Sequence, residues 1–229
     1  MKPLSTQFYL EHPEWLIDGT VQMDYALPEV RQHRLAMVQE ILSYDVDGIL
    51  LDFVRGEPYV SEPAREKASF LSEYVGQVRA QVDRAAQEKG RTMFFGAIVP
   101  WDLALLEELG ADVGHWIGSG WLDFVCPSEA RCADWNMPVA QWASLVGDTD
   151  CLVCPAVIAD IVIDRTVRTD IGDAQAMLEM SVPHLAACAQ NFYAQGADAA
   201  DCARARAAER ILRQRLLTSS TSLQSGSRQ

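Results

Sequence analysis

The sequence has no apolar run long enough to cross a membrane, and basic residues are few. Its 229 residues include 19 lysines and arginines against 32 aspartates and glutamates, which gives a net charge of −13. No segment reaches the roughly 18 to 20 apolar residues of a transmembrane helix, and residues 1–7 lack the apolar core of a signal peptide. An acidic body also repels phosphate backbones. We therefore expect a cytoplasmic protein that binds neither nucleic acid nor membrane.

Cysteine is scarce, and glycine-rich phosphate-binding loops are absent. The six cysteines are too few for the disulfide scaffold of a chain this long. The single Cys151-x-x-Cys154 pair has no second pair and no nearby histidine to complete a zinc site, which favours two core residues. No glycine-rich loop follows any predicted strand, and this argues against nucleotide binding. The sequence therefore indicates no metal ion and no cofactor.

The most informative segment is residues 44–55, where an apolar strand ends in an acid, an aromatic residue and a base. A strand covered on both faces of a parallel sheet is normally a continuous apolar run. Asp52 interrupts that run at its C-terminal end, where barrel enzymes carry their catalytic residues. Asp52 is therefore the first candidate for a catalytic carboxylate. The structural alternative is an acid that caps a helix or pairs with Arg55.

Helices and strands alternate through the middle of the chain. Proline and glutamate begin a helix over residues 28–43, and a strand follows at 48–53. The other predicted strands are 92–99, 121–126 and 151–158, and the other helices are 63–88, 103–109, 137–145 and 173–195. We expect a further short strand at residues 7–10 and a kink at Pro183 in the last helix.

Repeated βα units of this kind build either a doubly wound sheet or a barrel. The missing phosphate loop favours the barrel, which when complete has eight strands and about 250 residues. About four to five parallel strands with flanking helices are recognisable here. We therefore predict an α/β fold, an incomplete (β/α)8 TIM barrel over residues 1–200. A basic helix at 201–217 and a disordered polar tail at 218–229 are expected to follow.

Five groups of motifs occur in order between residues 8 and 198. They are H-P-E-W at 12–15, M-D-Y-A and P-E-V-R within 23–31, D-V-D-G-I-L-L-D-F-V-R at 45–55, A-D-V-G-H-W-I and G-W-L-D-F-V-C-P within 111–127, and N-F-Y-A-Q-G-A-D at 191–198. Together they resemble the family-10-like glycosyl hydrolases and related barrel glycosidases. The resemblance implies a TIM barrel that hydrolyses O-glycosidic bonds with a pair of carboxylates.

Some features depart from these relatives. The resemblance implies an apolar strand after Asp198, whereas residues 199–204 are predicted to be helical, and the upstream barrel strands are missing. Chitinase-like barrels carry carboxylates two residues before and two residues after the position of Asp52. Leu50 and Val54 occupy those positions here, which disfavours the substrate-assisted chitinase mechanism.

Two further acids follow predicted strands and are candidates for the second catalytic carboxylate. Glu129 lies just after the third strand, and Asp160 lies just past the fourth. A glycosidase carries its two carboxylates at the ends of strands, roughly 5 to 5.5 Å apart for retention and roughly 6.5 to 9.5 Å apart for inversion. Either acid therefore suits a pair with Asp52, and the structural alternative for each is a solvated loop acid.

Candidate substrate-binding residues come from the loops at the same ends of the strands. Trp101 and Trp135 are placed to stack on the apolar face of a sugar ring, and His12 lies in a loop at the same rim. Arg55 is a candidate for holding Asp52 ionised or for binding a substrate hydroxyl. The alternatives are core tryptophans, a hydrogen-bonded structural histidine and a structural ion pair.

Three hypotheses about function remain open. The first is a glycoside hydrolase that acts on a carbohydrate through Asp52 and either Glu129 or Asp160, and that is inactive alone if the chain is truncated. The second is a non-catalytic carbohydrate-binding or pseudoenzyme barrel. The third is an incomplete copy that folds only as a homo-oligomer, because its unpaired strand edges bind another copy of the chain.

Overall fold

The computed structural model describes residues 10–54, 56–129, 134–157, 160–162, 177–179 and 181–202. Four strands form a parallel sheet in the order β1-β2-β3-β4: β1 (Gly48–Asp52), β2 (Phe94–Pro100), β3 (Phe124–Ser128) and β4 (Leu152–Val153). This arrangement confirms the predicted α/β class with helices beside a parallel sheet. Within the described residues the sheet is not closed into a barrel.

Six helices accompany the strands in the described part of the chain. They are α1 (Pro28–Ser43), α2 (Ala68–Lys89), α3 (Leu103–Glu108), α4 (Val113–Gly118), α5 (Val139–Val146) and α6 (Val182–Ala194), with 3-10 turns at Pro13–Trp15 and Arg65–Lys67. Helix α1 begins at Pro28 as predicted, because the fixed φ of proline suits the first turn of a helix. None of the helices in these ranges is both long and apolar enough to span a bilayer.

The described residues form two compact units. The first contains the residues up to 125 together with 145–151, and the second contains those of 126–144 and 152–202. The core of the first unit lies where α1 and α2 pack on each other and on β1 and β2. Its most deeply buried side chains include Val30, Leu71, Val75, Val78 and Phe95, and those of the second unit include Met137, Trp142 and Phe192.

Among the described strands, β1 lies at one edge of the sheet. It pairs in parallel with β2, and Gly48 lies opposite Phe94 in the register. The N–H of Phe94 donates to the Asp47 carbonyl, and the N–H of Phe53 donates to the Ile98 carbonyl, each at 2.9 Å. Because a parallel ladder uses alternate residues, the odd-numbered peptide groups of β1 face β2. Those of Gly48, Leu50 and Asp52 face the open edge.

The second unit adds two short strand pairs. Strand β5 (Ala156–Val157) pairs in parallel with β8 (Asp201–Cys202), and β6 (Asp160–Val162) pairs antiparallel with β7 (Met177–Glu179). The predicted helix is therefore wrong at residues 201–202, where pairing with β5 outweighs the helical propensity of the alanine-rich sequence. The rest of that helix and the polar tail lie outside the described residues. The predicted domain limits at 200 and 217 stay predictions.

Three other predicted elements differ from the structure. The strand over 151–158 is divided between β4 and β5, because Pro155 has no N–H to donate to a ladder. The helix over 173–195 begins only at Val182, so that Pro183 lies in its first turn and causes no kink. Of the strand at 7–10, only Leu10 is described, and it lies in a helical turn with Glu11.

Candidate functional site

The carboxylate of Asp52 lies at the C-terminal end of β1 and is exposed to solvent. One of its oxygens, Oδ1, accepts a hydrogen bond of 3.0 Å from the N–H of Val54, and this bond fixes the side chain at the start of the following turn. Within the described residues it forms no ion pair. Arg55, its predicted partner, lies outside the described residues. A fixed and accessible carboxylate at this position can act as a general acid, a general base or a nucleophile.

Asp52 borders an open cavity of about 250 Å³ in the first unit. Three tyrosines line it, namely Tyr25, Tyr59 and Tyr74, together with the polar side chains of Gln22 and Arg34. Its apolar lining includes Met37, Val38, Ile41 and Leu50. The cavity therefore combines aromatic walls, one carboxylate and one guanidinium, which is a suitable lining for a polar ligand with apolar faces.

A buried aspartate positions two of the tyrosines. Asp24 is only 7% exposed, and its Oδ1 accepts hydrogen bonds from the N–H groups of Ala26 at 2.8 Å and of Ser61 at 3.2 Å. The N–H of Tyr25 donates to the Tyr59 carbonyl at 3.0 Å. These bonds join the turn before α1 to the loop after β1, and so place both rings at one cavity.

Burial holds the hydroxyls of Tyr59 and Tyr74 in the protonated form. The Tyr59 hydroxyl is buried and donates to the Phe53 carbonyl at 2.8 Å. Burial, and then the negative charges of Glu57 and Asp52, raise the pKa of Tyr59. Burial is also the main cause of the raised pKa of Tyr74. Both side chains are therefore neutral over the physiological pH range.

His12 and Trp101 lie elsewhere in the same unit. The His12 ring stacks on Trp15 with 4.3 Å between centroids, and its Nδ1 is 3.2 Å from an oxygen of Glu14. Trp101 follows β2 directly, as expected, and is half-buried. Neither side chain is among those that line the cavity at Asp52. Their predicted contact with a sugar stays a prediction.

The remaining predicted residues belong to the second unit. Glu129 comes directly after β3 and is half-buried. Trp135 lies against α6, because its carbonyl accepts a 2.7 Å hydrogen bond from Asn191 Nδ2 and its ring centroid is 5.6 Å from that of His184. Asp160 begins β6, and its side chain is outside the described part of the structure. The pairing of Asp52 with Glu129 or Asp160 therefore stays a prediction.

Sequence reasoning missed the other polar and aromatic groups at the cavity. Arg34 is a cation on the same face of α1 as Met37 and Ile41, and a basic residue within an apolar helical stripe is the signal that points to it. Tyr25 lies inside the M-D-Y-A motif noted above. Tyr59 and Tyr74 are not distinguishable in sequence from ordinary core aromatic residues.

Comparison with known proteins does not identify a family for this chain. No family model matches this chain, and no curated protein matches it, so a match to family-10-like glycosyl hydrolases is not supported. Among solved structures, this chain has a weak similarity to a glycoside hydrolase family 18 N-acetylglucosaminidase from Paenibacillus barengoltzii. It is 13% identical, with a TM-score of 0.43 over 59% of this chain and 46% of that one. The chain thus spans less than half the length of that protein, and no residue role is transferred from it.

Proposed function

We propose that this chain is a glycoside hydrolase in which Asp52 is a catalytic carboxylate. The observation that carries the proposal is the position of Asp52, exposed at the C-terminal end of a parallel strand and bordering a cavity with tyrosine walls. The ends of parallel strands are where barrel enzymes place their chemistry. Sugars have apolar ring faces that pack on aromatic side chains. Glu129 and Asp160 are the two candidates for the second carboxylate.

The direct test is the hydrolysis of a panel of nitrophenyl glycosides by the purified chain and three variants. We expect Asp52→Asn to lower kcat by at least about 100-fold, the usual effect of losing a general acid or base. One of Glu129→Gln and Asp160→Asn should cause a similar loss. The control is Asp83→Asn, which removes an exposed carboxylate on α2. Unchanged turnover in Asp52→Asn would contradict the proposal.

A second candidate function is binding of a carbohydrate without hydrolysis. The observation that favours it is that Asp52 is the one carboxylate among the described residues that line the cavity, whereas hydrolysis needs two. In that case the wild-type chain and Asp52→Asn would bind an oligosaccharide, and no product would form. Specific turnover by the wild-type chain would exclude this candidate.

The predicted association through strand edges affects how these assays are interpreted. Within the described residues, the even-numbered peptide groups of β1 have no strand partner, and other strands tend to bind such groups. Size-exclusion chromatography with light scattering measures the mass of the species in solution. A monomer that melts cooperatively would contradict the association, whereas a stable dimer would support it and make the dimer the species to assay.

A further inference from the structure

Arg34 is a cation with no anion beside it in the described structure. Its side chain lines the cavity at Asp52. The guanidinium Nε is fully buried, and none of the described residues offers it a hydrogen bond. Nη1 lies 3.9 Å from the Met37 sulfur, which is a weak acceptor. Nε and Nη1 therefore have no oxygen partner within the described residues.

Arg31, one turn earlier on α1, shows how this helix satisfies an arginine that has a structural role. Its Nη1 donates to the carbonyls of Tyr25 at 2.8 Å and Ala26 at 3.0 Å, and its Nη2 is 3.2 Å from Glu73. Ion pairs with carboxylates also hold Arg65, Arg79 and Arg91. Arg34 differs from all of these, because its Nε–H is buried without an acceptor, which is unfavourable for a guanidinium, and no carboxylate of the described residues pairs with its charge.

The chemistry of the missing acceptor follows from the guanidinium. Its planar set of donors matches a carboxylate, which it can bind through two parallel hydrogen bonds. The cavity volume of about 250 Å³ is below the roughly 300 to 1,000 Å³ of sites for drug-sized ligands, and so suits one sugar ring. Tyr25, which is half-buried, provides aromatic surface for the apolar face of such a ring.

We propose that Arg34 binds the carboxylate of an acidic sugar, a hexuronate, in the cavity that Asp52 borders. The inference rests on the proposed function and narrows its substrate class from carbohydrates in general to uronic acids. A net charge of −13 repels anions at long range. An anionic ligand therefore needs a local cation, and Arg34 is the described cation that lines this cavity.

Isothermal titration of the full chain with sodium D-glucuronate, D-glucose and sodium acetate tests the proposal. We expect glucuronate to bind at least tenfold more tightly than glucose, and acetate to bind weakly at the same site. Arg34→Gln should reduce glucuronate binding to the level of glucose, and Arg34→Lys should retain part of it. The control is Arg84→Gln, which removes an exposed cation of α2 that lines a different cavity.

Two results of the binding measurements would overturn the inference. One is equal binding, or no binding, of glucose and glucuronate by the wild-type chain. The other is unchanged glucuronate affinity in an Arg34→Gln variant whose melting temperature matches that of the wild type. If Arg34→Gln does not fold, the NMR titration of His33 in the wild-type chain replaces it. Burial is the largest cause of the lowered pKa of His33, and the charge of Arg34 is the second. Bound glucuronate should therefore raise this pKa, and no change on saturation would overturn the inference.

The variant Asp52→Asn separates this inference from the proposed function. If the proposed function and the acidic-sugar inference both hold, Asp52→Asn loses turnover of glucuronides. It binds glucuronate at least as tightly as the wild type, since a nearby negative charge has been removed. If turnover of neutral glycosides depends on Asp52 while Arg34→Gln is fully active, the function holds and the acidic-sugar inference fails. If glucuronate binding depends on Arg34 but no glycoside is hydrolysed, the binding site holds and the enzymatic function fails.

Discussion

Asp123 and Phe95 are joined by two hydrogen bonds. The N–H of Asp123 donates to the Phe95 carbonyl at 2.8 Å, and the N–H of Phe95 donates to Asp123 Oδ2 at 2.7 Å. In the second unit, Asp198 and Val153 repeat the arrangement, with distances of 2.9 and 3.0 Å. Each aspartate follows a glycine by two or three residues. An acid placed just before a strand thus binds the peptide groups of another strand.

Substitution of Asp123 should destabilise the first unit. In Asp123→Ala the N–H of the fully buried Phe95 loses its acceptor, and Arg79 loses a bond of 2.9 Å. We expect a loss of about 1–3 kcal/mol, the usual cost of an unsatisfied buried donor. Urea denaturation measures it. The matched control is Asp83→Ala, which removes the other, exposed carboxylate that pairs with Arg79 and should cost less than about 0.5 kcal/mol. Equal losses in the two variants would contradict the role of Asp123.

Two glycines with similar backbone angles should respond differently to substitution by alanine. Gly110 and Gly120 have φ values of +73° and +68°, so that each alanine variant carries the roughly 1–2 kcal/mol strain of a left-handed residue. At Gly110 a Cβ would also lie 2.5 Å from the Ala64 carbonyl oxygen, whereas at Gly120 it meets no atom within 4 Å. Gly110→Ala should therefore be the less stable variant by at least about 1 kcal/mol. Thermal melts of both variants would show this difference in stability. Indistinguishable melting temperatures would mean that the contact with the Ala64 carbonyl does not destabilise Gly110→Ala further.

Substitutions of the two arginines of α1 should have different effects on stability. Arg31→Gln removes the donor to two carbonyls and the partner of Glu73, and should cost about 1–3 kcal/mol. Arg34→Gln removes a side chain with no oxygen partner in the described structure, and should not destabilise the fold by more than about 0.5 kcal/mol. Chemical denaturation of both variants measures the two effects. A large loss in Arg34→Gln would indicate a structural role for that residue.

Alkaline pH should destabilise the fold through its buried tyrosines. Burial raises the pKa of Tyr59 and Tyr74 in the folded state, while in the unfolded chain they ionise near pH ~10. The stabilising contribution is therefore complete below about pH 10 and falls as the pH rises, because only the unfolded state releases these protons. Denaturation midpoints measured from about pH 8 to about pH 11 should decrease. Tyr74→Phe should weaken this dependence, and an unchanged slope would count against Tyr74 as a source.

Much of the sheet could be predicted from local sequence. The apolar run that ends at Asp52 forms β1, and the proline at residue 28 begins α1. The predictions are wrong where long-range strand pairing or the geometry of proline determines the secondary structure. Residues 201–202 lie in an alanine-rich sequence that is typical of a helix, but they pair with β5. Pro183 lies in the first turn of α6, where Ser181 and His184 cap each other, and the sequence pattern alone does not distinguish that position from a kink.

The candidate site could be predicted only in part, because long-range contacts bring its residues together. Asp52 stands out because an acid at the end of an apolar strand is unusual. Arg34 and Tyr59 are distant in sequence from Asp52 and from each other, and they reach one cavity through the bonds of Asp24 to the loop after β1. A buried aspartate that bonds only to backbone N–H groups has no sequence signature of its own.

The open edge of β1 also has a kinetic consequence for the strand that carries Asp52. The amide hydrogens of Leu51 and Phe53 point toward β2 and should exchange slowly with solvent deuterium. Those of Leu50 and Asp52 point away from it and should exchange quickly. A ligand or a second chain that covers this edge would slow the exchange of the even-numbered amides alone. The difference in exchange between even- and odd-numbered amides of β1 therefore shows whether its open edge is covered.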